Sequence, residues 1–237
     1  MITLGNGIYS VVNSVDIIVP VYNEEEGLES FYARIRSIGV TANLVFIDNA
    51  STDRTVEILK SFDDVKLILH DKNEGYGGSI NDGIRSTDGE IILIIDADCE
   101  YPPEAIPDML RKFETQEVVY ASRFLDHQNE NMPLLKRKGN QIISGLFNLL
   151  FRQRVTDLYT GCKAFRRATL SGFAMERSGF ESVLEMAVHF SRSGYKISEV
   201  PVKFVSRQTG VSQMKHVSEV FKYLYFLLRY HVKGKKR

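Results

Sequence analysis

The feature that most constrains the fold is a series of short apolar runs, which alternate with helical patterns through the first half of the chain. The run Ile91–Ile95 is apolar at every position, which is typical of a central strand covered on both faces. The predicted strands are 16–21, 43–48, 65–70, 91–96 and 117–122. The predicted helices between them are 24–37, 53–61, 78–86 and 103–113. Because parallel strands need crossover connections, this alternation predicts an α/β protein with a mostly parallel, Rossmann-like sheet flanked by helices.

The second half of the chain is less regular. Its pattern predicts a helix at 139–151, a turn at 157–161, a helix at 180–193 and a strand at 197–205. From 214 to 230 the apolar residues follow helical spacing, which predicts an amphipathic C-terminal helix. We therefore expect one domain at 1–213, followed at 214–237 by this helix and a basic tail.

Composition excludes several classes of function. The 237 residues carry 30 basic and 30 acidic side chains, so no overall field attracts nucleic acid, and we expect no nucleic-acid partner. No apolar run reaches the length of about 18 residues that spans a bilayer, and the N-terminus lacks a signal-peptide pattern. Cys99 and Cys162 match neither a disulfide framework nor a zinc spacing, which favours a reducing compartment. We expect a cytoplasmic protein that is soluble or peripheral on the membrane.

Polar residues stand where the predicted strands end. Pro20 and Tyr22 stand at the end of the first strand, Asp48 closes the second, and Asp96 and Asp98 close the fourth. Ligands of open α/β sheets bind at the carboxyl ends of the strands. Residues two apart on an extended segment point the same way, so Asp96 and Asp98 would present two carboxylates together. Such hard oxygen ligands suit Mg or Mn, whereas the alternative is a solvated acidic turn.

Five ordered segments together resemble glycosyltransferase family 2, and within it the polyprenyl-phosphate sugar transferases of the dolichyl-phosphate mannose synthase type. The segments are VPVYNE at 19–24, IDNASTDRT at 47–55, NEGYGG at 73–78, DAD at 96–98 and TGCKAFR at 160–166. The resemblance extends over residues 16–213. It implies a GT-A fold and an inverting hexosyltransferase that uses a GDP- or UDP-sugar donor with Mg or Mn.

The resemblance also implies a site for the donor and its metal. Contacts to the base and ribose would come from Pro20, Tyr22, Glu24 and Asp48. Contacts to the ribose, metal and diphosphate would come from Asp96, Ala97 and Asp98. Two positions depart from the family pattern, since Asn49 stands where many relatives have a second aspartate and Glu100 where they have glutamine. Glu100 would offer the metal a third carboxylate, but it would also repel the anionic donor.

The expected acceptor is a polyprenyl phosphate. Family members that glycosylate a sugar hydroxyl usually carry an acidic pair whose aspartate acts as base, and the corresponding segment 179–185 lacks that pair. A phosphate monoester needs no such base, because it is largely a dianion at neutral pH. By the resemblance, the cations that would attract it are Arg123, Arg137 and Arg207.

Several alternatives stay open at the level of sequence. A hydroxyl acceptor would fit if Asp157 or Glu181 served as the base. A chain that binds nucleotide sugar without turnover would also carry these motifs. The C-terminal helix and the basic tail, whose charges are Lys233, Lys235, Lys236 and Arg237, would either contact an anionic membrane surface or pack on the domain. No pattern in the sequence indicates an oligomeric state.

Overall fold

Strands and helices alternate over the residues that the computed structural model describes, which are 2–4, 7–9, 14–125, 132, 134–203 and 216–233. The strands are β1 (Ile2–Leu4), β2 (Gly7–Tyr9), β3 (Val15–Val21), β4 (Asn43–Asp48), β5 (Lys66–Leu69), β6 (Ile91–Ile95), β7 (Val118–Ser122), β8 (Cys162–Arg166) and β9 (Ile197–Pro201). The α-helices are α1 (Leu28–Ser37), α2 (Thr55–Lys60), α3 (Gly75–Arg85), α4 (Ile106–Arg111), α5 (Leu134–Phe151), α6 (Glu181–Arg192) and α7 (His216–Lys233). Short 3-10 turns flank α4 and follow β8, at Pro103–Ala105, Lys112–Glu114 and Arg167–Leu170.

A seven-stranded sheet forms the centre of the molecule, in the order β5-β4-β3-β6-β8-β7-β9. Strand β3 pairs in parallel with β4 on one side and with β6 on the other. Strands β7 and β9 are also parallel, whereas β8 runs antiparallel to both of its neighbours, β6 and β7. Because the chain passes from β3 to β4 on one side of the sheet and from β6 to β7 on the other, a topological switch point lies between β3 and β6, where ligands of such sheets bind. The predicted mostly parallel sheet is confirmed.

Helices cover both faces of this sheet and create two hydrophobic cores. Ile91, Leu93 and Ile95 of β6 belong to the core that contains side chains of α1, α2 and α4. Ile92 and Ile94 of the same strand belong to the core that contains side chains of α3, α5, α6 and α7. All five side chains are fully buried, and each such burial stabilises the fold by about 1.5–3 kcal/mol. The uninterrupted apolar run of β6 therefore reflects its position between two cores.

The structure contains three strands that the sequence prediction lacks, β1, β2 and β8, and it differs from the prediction at several element ends. Strand β8 is absent from the prediction, because Lys163 interrupts its apolar pattern although the side chain is fully buried. The first helix begins at Leu28, since the preceding residues form a turn in which the Gly27 and Leu28 amides donate to the Glu24 carbonyl. Strand β9 ends at Pro201, and residues 204–205 of the expected strand lie outside the described part of the chain.

The C-terminal helix α7 packs on the domain. Tyr223, Phe226 and Leu227 are buried in the core that they share with α5 and α6. Tyr225 and Leu228 point to solvent, with 60% and 52% of their surface exposed, so the predicted amphipathic helix is confirmed. In the part of the chain that the structure describes, no helix is long and apolar enough to span a bilayer. The predicted domain boundary at 213 and the tail beyond 233 lie outside the described residues.

Candidate active site

Sharp turns follow β3, β4 and β6, whose carboxyl ends lie at one edge of the sheet because the three strands are parallel. Each turn contains a non-glycine residue in the left-handed region, with φ of 54° at Asn23, 63° at Ala50 and 58° at Cys99. Such residues are uncommon and cluster at functional sites, where the surrounding structure holds them. The first two turns are joined, since the Asn23 amide donates to Ser51 Oγ at 2.9 Å. Glu24, half-buried in the first turn, lies at the edge where the sequence predicts the nucleotide.

Asp48 ends β4 as a buried carboxylate with one oxygen engaged. Its Oδ2 accepts a hydrogen bond from the Ser51 amide at 3.0 Å, whereas Oδ1 is buried and has no hydrogen-bond partner among the described residues. A buried acceptor without a partner is costly, so this oxygen suits a donor group of a ligand. The register places Val21 of β3 opposite Asp48, so the half-buried Pro20 and Tyr22 flank this position.

Asn49, the first departure from the family pattern, orders the start of α3. Its Oδ1 accepts a hydrogen bond from the Glu74 amide at 2.8 Å, and its Nδ2 donates to Asn73 Oδ1 at 3.0 Å. The Asn73 oxygen in turn accepts from the Gly75 amide at 2.9 Å. An aspartate at 49 has no N–H to donate, so it would leave the contact to Asn73 unmade. The amide at this position therefore stabilises the loop beside the site.

Asp96 follows β6 and is held by two neighbours. Its Oδ1 accepts a hydrogen bond from the Tyr76 hydroxyl at 2.8 Å, and its amide donates to the Gly161 carbonyl at 3.0 Å. Glycine is required at 161, because a Cβ there would lie 2.2 Å from Asp96 Oδ2. Burial, and then the charge of Asp98, raises the pKa of Asp96 to about 7. The carboxylate pair therefore concentrates negative charge that a cation would stabilise.

Lys163 of β8 is a fully buried amine that interacts with this carboxylate. Its Nζ has no hydrogen-bond partner among the described residues and lies 5.8 Å from the centre of the Tyr76 ring. Burial lowers the pKa of Lys163 to about 8, although the negative charge of Asp96 opposes the shift. Burial and the same charge raise the pKa of Tyr76 well above its ordinary value, so its hydroxyl stays protonated and donates to Asp96. Sequence reasoning assigned neither Lys163 nor Tyr76 to the site, since nothing in a single motif shows that these side chains meet.

Arg123 lies in the interior of the site and is 4% exposed. Its Nε and Nη2 bind both oxygens of Asp157, at 2.7 Å to Oδ2 and 3.0 Å to Oδ1. Its Nη1 lies 3.2 Å from Glu100 Oε2, and its guanidinium carbon lies 4.8 Å from the centre of the Tyr101 ring. The sequence prediction has Arg123 facing the incoming acceptor phosphate. In the structure its fork contacts two carboxylates of the protein, Asp157 in the bidentate geometry that arginine favours and Glu100 through Nη1. Its part in acceptor binding stays a prediction.

Glu100 pairs with Arg123, so the expected third metal carboxylate balances an arginine. Among the described residues, no three His, Cys, Asp or Glu side chains are arranged to hold a metal ion. Asp98 Oδ1 accepts a hydrogen bond from the Glu100 amide at 3.0 Å, which shapes the turn after β6. Ala97 is buried between the half-buried Asp96 and Asp98. The metal-binding roles predicted for Asp96, Asp98 and Glu100 stay predictions.

Asp157 is the fully buried acceptor on which several donors converge. In addition to Arg123, Asn140 Nδ2 donates to its Oδ1 at 2.7 Å and the Tyr101 hydroxyl to its Oδ2 at 3.3 Å. The Asp157 amide donates to Glu199 Oε1 at 2.9 Å, so β9 fixes the loop as well. Burial raises the pKa of Glu199. Sequence reasoning missed Asn140 and Glu199, because only the fold brings α5 and β9 to this loop.

The remaining predicted residues lie near this network or outside the described part of the chain. Arg137 is half-buried in α5, one helical turn before Asn140 and so on the same face of the helix. Arg207 lies outside the described residues. Glu181, at the start of α6, is buried, and its Oε2 lies 2.9 Å from Lys222 Nζ of α7.

Comparisons with known proteins agree with this geometry. Residues 16–172 match the family model described as Glycosyl transferase family 2. The chain belongs to glycosyl transferase family 2. Over 225 residues this family 2 chain is 30% identical to a dolichol-phosphate mannosyltransferase from Pyrococcus furiosus, with 91% of this chain and 63% of the relative covered. It therefore spans less than two thirds of that relative's length.

Two further relatives are covered almost over their whole length. A UDP-N-acetylglucosamine–dolichyl-phosphate N-acetylglucosaminyltransferase from Methanococcus voltae is 26% identical over 236 residues, with 90% of this chain and 94% of the relative covered. An undecaprenyl-phosphate mannosyltransferase from Micrococcus luteus is 28% identical over 208 residues, with 83% and 86% covered. The similarity to these two relatives therefore extends over most of each chain.

Solved structures share the fold at lower sequence identity. Glucosyl-3-phosphoglycerate synthase from Mycobacterium tuberculosis, in complex with UDP, has a TM-score of 0.72 at 17% identity, with 92% of this chain and 80% of that chain covered. A mannosyltransferase from Pyrobaculum calidifontis, in complex with GDP-Man and Mn2+, has a TM-score of 0.62 at 19% identity, with 98% and 68% covered. These likenesses confirm the predicted GT-A fold.

Proposed function

We propose that this family 2 chain transfers a hexose from a nucleotide diphosphate sugar to a polyprenyl phosphate, with inversion at the anomeric carbon. The observation that carries the proposal is that both carboxylates that could act as the base for a hydroxyl acceptor are held in ion pairs. Asp157 is fully buried and bound by Arg123, and Glu181 is paired with Lys222. A general base must reach the acceptor proton, which would require either carboxylate to leave its ion pair. An acceptor that is already ionised suits this arrangement better.

The names of the relatives support the same class of acceptor. Dolichol phosphate, dolichyl phosphate and undecaprenyl phosphate appear in the names of the relatives from P. furiosus, M. voltae and M. luteus. The transferred sugars in those names differ, and the structural neighbours hold UDP in one case and GDP-Man in another. The proposal therefore specifies a polyprenyl phosphate acceptor and a UDP- or GDP-sugar donor, without assigning the sugar.

A divalent ion, Mg or Mn, fits the carboxylate pair. Asp96 and Asp98 supply hard oxygen ligands, and the raised pKa of Asp96 reflects burial and then the repulsion by Asp98, both of which a bound cation would offset. When bound, the ion would neutralise charge on the leaving nucleoside diphosphate. Asp48 Oδ1, which is buried without a hydrogen-bond partner, would accept a hydrogen bond from the base or the ribose. Tyr22 and Pro20, on the neighbouring strand end, would line the same part of the donor.

The acceptor phosphate would attack the anomeric carbon from the face opposite the leaving diphosphate. Cations are needed nearby, because the nucleophile and the leaving group are both anionic. Arg137 on α5 suits this role among the described residues, and Arg207 remains a second candidate from the sequence. Arg123 would act indirectly, since it pairs with Glu100 in the turn after β6 and with Asp157 in the segment before β8.

A lipid acceptor requires the protein to work at a membrane surface. Helices α5 and α7 pack together and expose large apolar side chains, namely Ile142, Leu149, Tyr225, Leu228 and Val232. Exposed apolar residues on amphipathic helices favour an interfacial position, and nearby basic residues add attraction to anionic lipid. We propose that α5, α7 and the basic tail form a peripheral attachment to the cytoplasmic face of the membrane.

A two-stage assay tests the proposal. The melting temperature is measured with GDP, UDP and ADP, each with and without Mn2+, and the donor of the stabilising nucleotide is then offered with polyprenyl phosphate or with saccharides. We expect metal-dependent stabilisation by GDP or UDP, followed by release of the nucleoside diphosphate with the lipid phosphate. Release with a saccharide alone would indicate a hydroxyl acceptor. Binding without release for every acceptor would indicate a nucleotide-sugar-binding protein.

A further inference from the structure

One structural link connects α7 to Asp96 through an aromatic stack. Tyr223 of α7 is 2% exposed and stacks on Tyr159, with ring centroids 4.2 Å apart and an angle of 28° between the planes. Tyr159 lies in the segment between Asp157 and Gly161. Gly161 accepts the hydrogen bond of the Asp96 amide and lies directly against the Asp96 carboxylate. The stack therefore supports the segment that fixes Asp96 from one side.

A second link runs through Lys222, the preceding residue of α7. Its Nζ lies 2.9 Å from Glu181 Oε2 at the start of α6. Phe180, immediately before Glu181, stacks on Tyr76 with ring centroids 5.0 Å apart and an angle of 22° between the planes. The Tyr76 hydroxyl donates to Asp96 Oδ1. This second series of contacts therefore ends at Asp96 Oδ1, the oxygen that accepts the Tyr76 hydrogen bond.

We propose that Tyr223 is a positioning residue, which acts on Asp96 through Tyr159 and makes α7 a part of the donor site. The inference rests on the proposed function in so far as Asp96 serves donor and metal. Tyr223 contacts the segment that contains Gly161, and Lys222 contacts the start of α6, and both contacts lead to Asp96. Phe226 and Leu227 of the same helix instead supply buried apolar surface that packs α7 on the domain. Displacement of α7 would therefore make the Asp96 side chain and backbone more mobile, although the residues at the strand ends are unchanged.

A set of three variants separates this positioning role from a structural one. Tyr223→Ala removes the stack, and Tyr223→Phe keeps the ring. Tyr225→Ala is the matched control, because Tyr225 lies on the same helix and is 60% exposed. Each full-length variant is compared with the parent chain in hydrogen exchange of the Asp96 amide, in affinity for a nucleoside diphosphate with Mn2+, and in kcat and KM for the donor.

We expect Tyr223→Ala to speed exchange of the Asp96 amide relative to amides of β4, because the Gly161 carbonyl that accepts its hydrogen bond becomes mobile. The same variant should lower the Mn2+-dependent nucleotide affinity and kcat by about 10- to 100-fold, the range for partners that orient metal ligands. Tyr223→Phe should recover most of the affinity and of kcat. Tyr225→Ala should match the parent chain in exchange at Asp96 and in Mn2+-dependent nucleotide affinity, since neither measurement involves the exposed apolar surface of α7.

The opposite result is equally specific. If Tyr223→Ala lowers only the melting temperature, while exchange at Asp96 and nucleotide affinity stay at the parent values, the helix is structural and the inference is wrong. Should Tyr223→Ala fail to fold, Tyr159→Leu removes the stack from the other ring and is measured in the same way. The exchange measurement uses no substrate, so it tests the role of Tyr223 even if the proposed function is wrong. The proposed function is tested separately, by turnover of a lipid phosphate in the parent chain.

Discussion

Asp96 and Asp98 illustrate, at the scale of single residues, how a short motif becomes a built site. A solvated acidic turn would leave both side chains free in water, whereas Asp96 is bonded to the Tyr76 hydroxyl and to the Gly161 carbonyl. Its carboxylate therefore has a fixed direction, and burial, followed by the charge of Asp98, raises its pKa. Predictions at this scale concern the charges of individual side chains.

The first prediction concerns the metal pair. Asp98→Asn should lower turnover by at least about 100-fold, or ~2.7 kcal/mol of transition-state stabilisation, because one anionic ligand is lost. The melting temperature of the metal-free variant should not fall, since a repulsion is also removed. Asp63→Asn, at an exposed position, is the matched control and should be fully active. Near-normal metal-dependent activity of Asp98→Asn would remove this pair from the site.

The second prediction concerns pH. Between the ordinary aspartate pKa, about 4, and the value of about 7 for Asp96, the folded state keeps a proton that the unfolded state has lost. The unfolding free energy contributed by Asp96 therefore falls as pH rises through this window. The melting temperature of metal-free Asp96→Asn minus that of the parent chain should increase from about pH 5 to about pH 7.5. If the difference in melting temperature is constant or decreases over this range, ionisation of Asp96 does not destabilise the folded state.

The third prediction separates two arginines. Arg137→Ala should raise KM for the phosphate acceptor by roughly 10-fold or more, since a hydrogen bond to a charged group contributes about 1.5–3 kcal/mol. Donor affinity should change little, and Lys138→Ala, at an exposed neighbouring position, serves as the control. Arg123→Ala should instead lower the unfolding free energy by about 3–5 kcal/mol, because it leaves Asp157 buried without its ion partner. Normal acceptor kinetics in Arg137→Ala would exclude it from the acceptor site.

At the scale of elements, the spacing of apolar residues predicts the strands and helices whose buried positions are all apolar. It fails to predict a strand in which a charged side chain is buried. Strand β6 has an uninterrupted apolar run because both of its faces are buried. Strand β8 is buried at four of its five positions, but it carries Lys163, whose buried amine interacts with Asp96 and interrupts the apolar pattern by which a strand is predicted. Helix α7 shows the predicted amphipathic spacing, yet its contacts with Tyr159 and Glu181 depend on the tertiary fold.

The fourth prediction concerns the end of α7. Removal of residues 233–237 should weaken binding to anionic vesicles, because each basic residue near the surface contributes about 1 kcal/mol. Replacement of the same basic residues with glutamine should have the same effect, and donor affinity should not change in either variant. The difference should shrink in ~1 M salt, where the Debye length is about 3 Å. Equal co-sedimentation of intact and truncated chains at low salt would show that the tail is not an electrostatic anchor.

At the scale of the whole molecule, the site combines residues that are far apart in the sequence, such as Asp48 of β4 and Glu199 of β9. The sequence predicts the residues that stand in local motifs at strand ends, such as Asp48, Asp96 and Asp98, because the carboxyl ends of parallel strands meet at one edge. It does not predict Asn140 on α5 or Glu199 on β9, which reach Asp157 only through the order of the strands and the docking of α5. The network around Arg123 is therefore a property of the fold rather than of any motif.

The measurement that tests the central claim most directly compares two acceptors that differ only in the phosphate. The purified chain is given its nucleotide-sugar donor and Mn2+ with either polyprenyl phosphate or the polyprenol of the same length, and the lipid products are identified by mass spectrometry and by the anomeric coupling in NMR spectra. We predict a glycosyl phosphate lipid of inverted configuration from the phosphate and no product from the alcohol, because the two candidate bases are held in ion pairs. Glycosylation of the alcohol at a comparable rate, or a product of retained configuration, would contradict this account.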